Sequence, residues 1–125
     1  MVMAEEQCIS ACVILLAASP YAAISPGTKV TFHRAEPLVK FATPELRRES
    51  HSYLRGVERQ TEQLYRESGI ADWAIETAKR QPFWTPTIDQ QIRMGLIAYI
   101  YDLDSEEFVA AGDYCISHQD QCWWS

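Results

Sequence analysis

The chain's most apolar stretch is Cys12 to Ala18, and Ser19-Pro20 ends it. Seven residues fall far short of the roughly 18 needed to cross a bilayer. The run must instead be buried inside a protein core. Small residues lead into Val13-Ile14-Leu15-Leu16, so residues 8–18 read as a buried helix that Pro20 prevents from continuing. A secretory signal would need a positively charged segment ahead of the run. Met-Val-Met-Ala-Glu-Glu-Gln supplies two acids and no base, which favours the helix of a folded domain.

A helix that is apolar all round needs partners on every side, and the rest of the chain offers them. Ser25-Pro26-Gly27 marks a turn. Lys29-Val30-Thr31-Phe32-His33 alternates polar and apolar and reads as a short strand. Residues 34–42 read as loop. Thr43-Pro44-Glu45 opens a long helix with a capping hydroxyl, a proline in the first turn and an acid near the positive helix end. This helix runs to about Ser68, with Gly69 as its C-terminal cap. Leu46, Tyr53, Leu54, Val57, Leu64 and Tyr65 form its apolar stripe. Arg47, Arg48, Arg55, Glu58, Arg59, Glu62 and Arg66 read as a solvated face, and Gly56 reads as a point of close packing. A further helix covers roughly 70–79, a short one runs from Thr85-Pro86-Thr87 to Met94, and Leu96–Tyr101 reads as a buried strand.

Composition fits this picture. Hydrophobic residues are 47% and charged residues 22%, ordinary values for a globular chain. Eleven Lys and Arg face 17 Asp and Glu, a net charge of −6 with no basic run. Nucleic-acid binding, which needs clustered positive charge, is excluded as an expectation. The four cysteines form two close pairs, Cys8 with Cys12 and Cys115 with Cys122. His118 inside the second pair makes a Cys-x2-His-x3-Cys arrangement that Asp113 or Asp120 could complete. Zinc ligation, disulfides and free thiols in a loose tail all fit these spacings.

Two features can carry chemistry together. Ser10 sits at the opening of the apolar helix, near the positive end of its dipole, and the amide of Ala11 is free of intrahelical partners. A serine hydroxyl there is a candidate nucleophile, with the Ala11 N–H a candidate oxyanion donor. His33, delivered by the following strand, is a candidate general base. The bland alternative is that Ser10 merely caps its helix and His33 merely ends a strand.

The order of these elements resembles a known family. Cys8-Ile9-Ser10-Ala11-Cys12 and the apolar helix behind it resemble the nucleophile helix of the Clp protease proteolytic subunit superfamily. They are closer still to bacterial Clp-like proteins with a Cys-x-Ser-Ala-Cys signature, often predicted to be periplasmic. Ile24 to His33 resembles the strand leading to the family's catalytic histidine, 23 positions on from Ser10. The long helix ending in Tyr65-Arg66-Glu67-Ser68-Gly69 resembles the family's handle helix. Phe83-Trp84-Thr85-Pro86-Thr87 through Met94-Gly95-Leu96-Ile97 resembles its closing segment. The resemblance covers residues 7–101. It implies an α/β, crotonase-type ββα fold with a long exposed helix, and a serine hydrolase acting on peptides or related acyl compounds without metal or organic cofactor. Ser10 would be the nucleophile, His33 the base and Ala11 an oxyanion amide.

Two departures shape the expectation. Where the family has its catalytic acid, this chain has Lys79, Arg80 and Gln81. Gln81 could orient an imidazole but brings no negative charge, and Asp89 lies within the following helix. The family's Gly-Gly turn, which completes the oxyanion hole ahead of the nucleophile, has no counterpart. The strand feeding the helix could at most be Met1–Ala4. The expectation is therefore an N-terminally truncated domain, residues 1–102 forming its C-terminal portion and 103–125 an acidic tail with Trp and Cys. As a chain on its own it would have weak activity or none. The alternatives are a non-catalytic module that associates with itself or a partner, and an acyl-CoA enzyme of the same superfamily. The resemblance suggests a periplasmic origin, and no membrane span is expected.

Overall fold

The computed structural model describes residues 2–33, 43–81 and 83–123. The expected loop at 34–42 lies outside them, as does Pro82, which is expected with Gln81 to end the 70–79 helix. The chain opens with two three-residue strands, β1 (Val2–Ala4) and β2 (Gln7–Ile9), and then enters helix α1 (Ala11–Ala18). After it come β3 (Ala22–Ile24) and β4 (Lys29–His33). This is a two-stroke pattern. Strand β1 pairs in parallel with β3, and β2 pairs in parallel with β4, so each pass contributes one strand to each of two sheets. The residues linking the two strands of a pass are themselves tied across, since Ser25 N–H donates to the Ala4 carbonyl and Lys29 N–H to the Glu6 carbonyl.

The expected helix at 8–18 starts later. Cys8 and Ile9 belong to β2, in register with Val30 and Thr31. Gln7, Cys8 and Ile9 alternate exposed, buried, exposed, which is strand periodicity over a stretch too short to stand out in sequence. The strand feeding α1 is therefore β2 rather than Met1–Ala4. Strand β3, by contrast, carries no alternation, because all three of its residues are buried.

Helix α2 (Pro44–Glu67) begins as expected, with the Thr43 hydroxyl accepting from the Leu46 N–H. Helix α3 (Asp72–Arg80) packs against it, and an ion-pair network joins the two. Arg66 pairs with Glu62 at 2.9 Å and with Asp72, while Lys79 reaches Glu62 at 3.5 Å and Glu76 at 3.7 Å. Strand β5 (Phe83–Trp84) pairs antiparallel with β4 and completes a three-stranded sheet in the order β2-β4-β5. Helix α4 (Ile88–Arg93) starts at a reciprocal capping box between Thr87 and Gln90 and ends at Gly95 with φ +84°. No side chain would fit easily at Gly95, since a Cβ there would lie 3.2 Å from the Gly69 carbonyl oxygen.

The last part of the chain folds back onto this framework. Strand β6 (Tyr99–Asp102) pairs in parallel with β3, and β7 (Glu107–Ala110) pairs antiparallel along the whole of β6. The second sheet is thus four-stranded, β1-β3-β6-β7. Helices α5 (Ala111–Ser117) and α6 (Gln119–Trp123) follow, and Ala111, Tyr114 and Cys122 join the same core as Val13, Leu16, Ile24, Val30 and Ile100. Residues 103–123 therefore pack as structure rather than as a loose tail. Both cysteine pairs are disulfides, Cys8–Cys12 and Cys115–Cys122. This resolves the three readings of their spacing and removes zinc ligation by Cys115 and Cys122, whose sulfurs are bonded to each other. Among the described residues no helix is long and apolar enough to cross a membrane, and no group of His, Cys, Asp and Glu is placed to hold a metal ion.

Candidate functional site

Ser10 occupies the single-residue corner between β2 and α1, with φ +56° and ψ −108°. A side-chain-bearing residue at positive φ is sterically disfavoured, and such positions hold only where neighbouring structure over-determines them. Here it does. The Ser10 N–H donates to the Thr31 carbonyl on β4 at 3.2 Å, while the Ser10 carbonyl accepts from Val13 and Ile14 in the first turn of α1. One half of the residue is strand and the other half is helix. This is the geometry of a nucleophile elbow, a sharp strand-to-helix turn that projects a serine hydroxyl away from the backbone. Ser10 stands at the N-cap position, yet its side chain makes no capping hydrogen bond. The bland reading, a serine whose job is to cap, is not what the corner does.

His33 ends the neighbouring strand. Register places Ile9 opposite Thr31, so the corner after Ile9 and the end of β4 lie on one side of the sheet. The imidazole stacks on the Phe83 ring at 4.4 Å between centroids, because His33 and Phe83 are cross-strand partners. Ser10 and His33 line the same cavity, of about 590 Å³. Its apolar wall comes from Ile14, Phe32, Tyr65, Ile75 and Ala78. Phe32 is packed edge-on to Tyr65 and stacked on Trp84, which fixes that wall from behind.

The other two expected site residues stand differently. Ala11 is the first residue of α1, so its N–H has no intrahelical acceptor. It follows Ser10 directly but does not itself line the cavity. Gln81 is exposed at the C-terminal end of α3, where its N–H bonds to the Thr77 carbonyl, and it is not on the cavity wall.

Sequence reasoning missed the opposite wall. Ser52, Arg55, Glu58, Arg59 and Glu62 of α2, with Lys79 of α3, line the cavity across from the elbow. The signal was present in the spacing. Ser52, Arg55, Glu58 or Arg59, Glu62 and Tyr65 recur at three and four residues, which places them on the helical face that Tyr65 buries. Arg55 and Arg59 are exposed, as a solvated face requires, and Glu58 and Glu62 are half-buried; their phase along the helix puts all four on the cavity rim. Hydrogen bonding from Arg66, and more weakly the charge of Lys79, holds the Glu62 carboxyl below its ordinary range, so it is a carboxylate at neutral pH. Burial pushes the Tyr65 phenol up to about 12. The cavity lining thus carries two acidic residues of α2, Glu58 and Glu62, and Glu62 is already paired with Arg66 and Lys79.

Fold and site together define a mixed α/β chain with a serine on a strand–turn–helix corner and a histidine at the end of the adjacent strand, both facing one cavity. Neither a protein-family model nor a curated protein matches the chain.

Proposed function

We propose that this protein is a serine hydrolase of the Clp-protease and crotonase type, acting on peptides or related acyl compounds. Ser10 is the nucleophile, His33 the general base, and the Ala11 amide one oxyanion donor. The observation that carries the reading is the corner itself: Ser10 at φ +56° between β2 and α1, with a hydroxyl free of capping duty, on a cavity shared with His33. His33 takes the hydroxyl proton as Oγ bonds to the acyl carbon, then returns it to the leaving group. Water repeats the cycle on the acyl-enzyme. The two-sheet ββα progression supports the same relationship, and the two disulfides support an oxidising location such as the periplasm.

Turnover is slow in this account. Neither Gln81 nor any other residue of its segment supplies a charge partner on the cavity except Lys79, which has the wrong sign. A single oxyanion donor is worth roughly 10²–10³ in rate, so an incomplete set leaves the rate well below that of a complete site. A fluorophosphonate probe tests the reading. It should label the wild type at Ser10, fail on Ser10→Ala, and react about 10²-fold more slowly with His33→Ala. Equal labelling of Ser10→Ala would locate the reactivity elsewhere.

A second reading, a non-catalytic association module, is favoured by one observation. Strands β1 and β2 are both sheet edges, one in each sheet. Unpaired edges attract further strands. Light scattering decides this: a dimer or larger assembly supports association, and a monomer at high concentration removes it.

A further inference from the structure

The Cys8–Cys12 bridge encloses Ser10. One sulfur belongs to Cys8, fully buried in β2 and paired with Val30; the other belongs to half-buried Cys12 in the first turn of α1. The residue between the two elements is the one at positive φ. A cross-link over a sequence separation of 4 closes a very short loop, and the stabilisation a bridge gives the whole fold grows with loop length. This bridge is therefore poorly placed to stabilise the molecule at large. It is well placed to fix the angle between β2 and α1. With it closed, Ser10 cannot swing to ordinary negative φ without moving a strand or a helix. Cys115–Cys122, by contrast, ties α5 to α6 and encloses no cavity residue.

We propose that Cys8 and Cys12 are positioning residues for Ser10, and that opening their disulfide with a dithiol lowers the reactivity of the serine. The proposal rests on Ser10 being the nucleophile. A dithiol's thiolate attacks the Cys12 sulfur, expelling the Cys8 thiolate, which takes up a proton. The dithiol's second thiolate then displaces Cys12, which is protonated in turn. Two electrons and two protons pass to the protein, and the dithiol leaves as its own disulfide. The elbow keeps its two backbone anchors but loses the tether between them.

The test uses the full chain, oxidised and after dithiothreitol, with bridge status read by alkylation and mass spectrometry. Two readouts run together: the rate of fluorophosphonate labelling, and hydrogen exchange at the Ser10 and Val13 amides. Opening the bridge should slow labelling at least tenfold and speed exchange at both amides, and reoxidation should restore both. A Cys115→Ser/Cys122→Ser variant should respond in the same way, and a Cys8→Ala/Cys12→Ala variant should label slowly whether or not dithiol is present. Should either variant fail to fold, the wild-type comparison decides alone. Unchanged labelling and exchange with Cys8 and Cys12 fully alkylated would overturn the proposal. Exchange that responds while Ser10 labels in neither state would support the positioning role and sink the nucleophile reading instead.

Discussion

Ser10 is held in a conformation that costs of order 1–3 kcal/mol for a residue with a side chain. Glycine removes most of that cost. Ser10→Gly should therefore raise unfolding stability by about 1 kcal/mol in urea titrations while abolishing probe labelling; a destabilised Ser10→Gly would show that the corner is not strained. The opposite substitution applies at Gly95, whose φ of +84° and 3.2 Å approach to the Gly69 carbonyl oxygen leave little room for a Cβ. Gly95→Ala should cost about 1–2 kcal/mol by the same measurement. At this scale sequence was informative about chemistry and silent about geometry. The serine ahead of an apolar helix and the histidine at a strand end were legible as residue types at a spacing. The positive φ was not, because it arises from Ser10 being tied to Thr31 on one side and to the first turn of α1 on the other.

Among the elements, α2 decides most. It is amphipathic, but apolar residues of its N-terminal half stay exposed: Leu46 is 47% exposed and Tyr53 72%. Gly56 was expected to mark close packing, yet a Cβ there would meet nothing within 4 Å. The glycine weakens the helix without a steric reason, so Gly56→Ala should add about 0.5–1 kcal/mol; loss of stability would reveal a contact at this site. Tyr65, the buried residue of α2, gives the helix a pH signature. Its phenol is raised from 10.0 to about 12 by burial, so the folded state holds the proton more tightly than the unfolded one. The contribution is fully present below pH 10 and is lost as pH rises from 10 towards about 12. The unfolding free energy from urea titrations should fall across that window in the wild type, by on the order of 1 kcal/mol more than in Tyr65→Phe. Equal losses in the two proteins would remove Tyr65 as the cause. Helices with chemical punctuation, such as Thr43-Pro44 and Gly69, were legible in sequence. Strands β2 and β3 were not: the alternation of β2 spans only three residues, and the three residues of β3 are all buried and show no period.

For the molecule as a whole, sequence led correctly to a mixed α/β chain with a long, largely exposed helix; the apolar helix expected to be buried on every side is buried only along Val13, Leu16 and Ala17, and Leu15 is 62% exposed. It did not show that residues 103–123 return to the sheet and core, since Phe108, Tyr114 and Cys122 are separated by acidic and polar residues that mask the pattern. It also did not show that α2 and α3 bring charge to the cavity, because that depends on how the two helices lie across the β4 end of the sheet. The result is a small fold with one strained serine at the corner between β2 and α1, a histidine lining the same cavity and a disulfide across the corner. The most direct test of this account is active-site labelling of the oxidised full chain with a fluorophosphonate, followed by peptide mapping. The account predicts a single adduct on Ser10, lost in Ser10→Ala and slowed about 10²-fold in His33→Ala. No adduct on Ser10 in the folded, oxidised protein, or an adduct indifferent to His33, would contradict it.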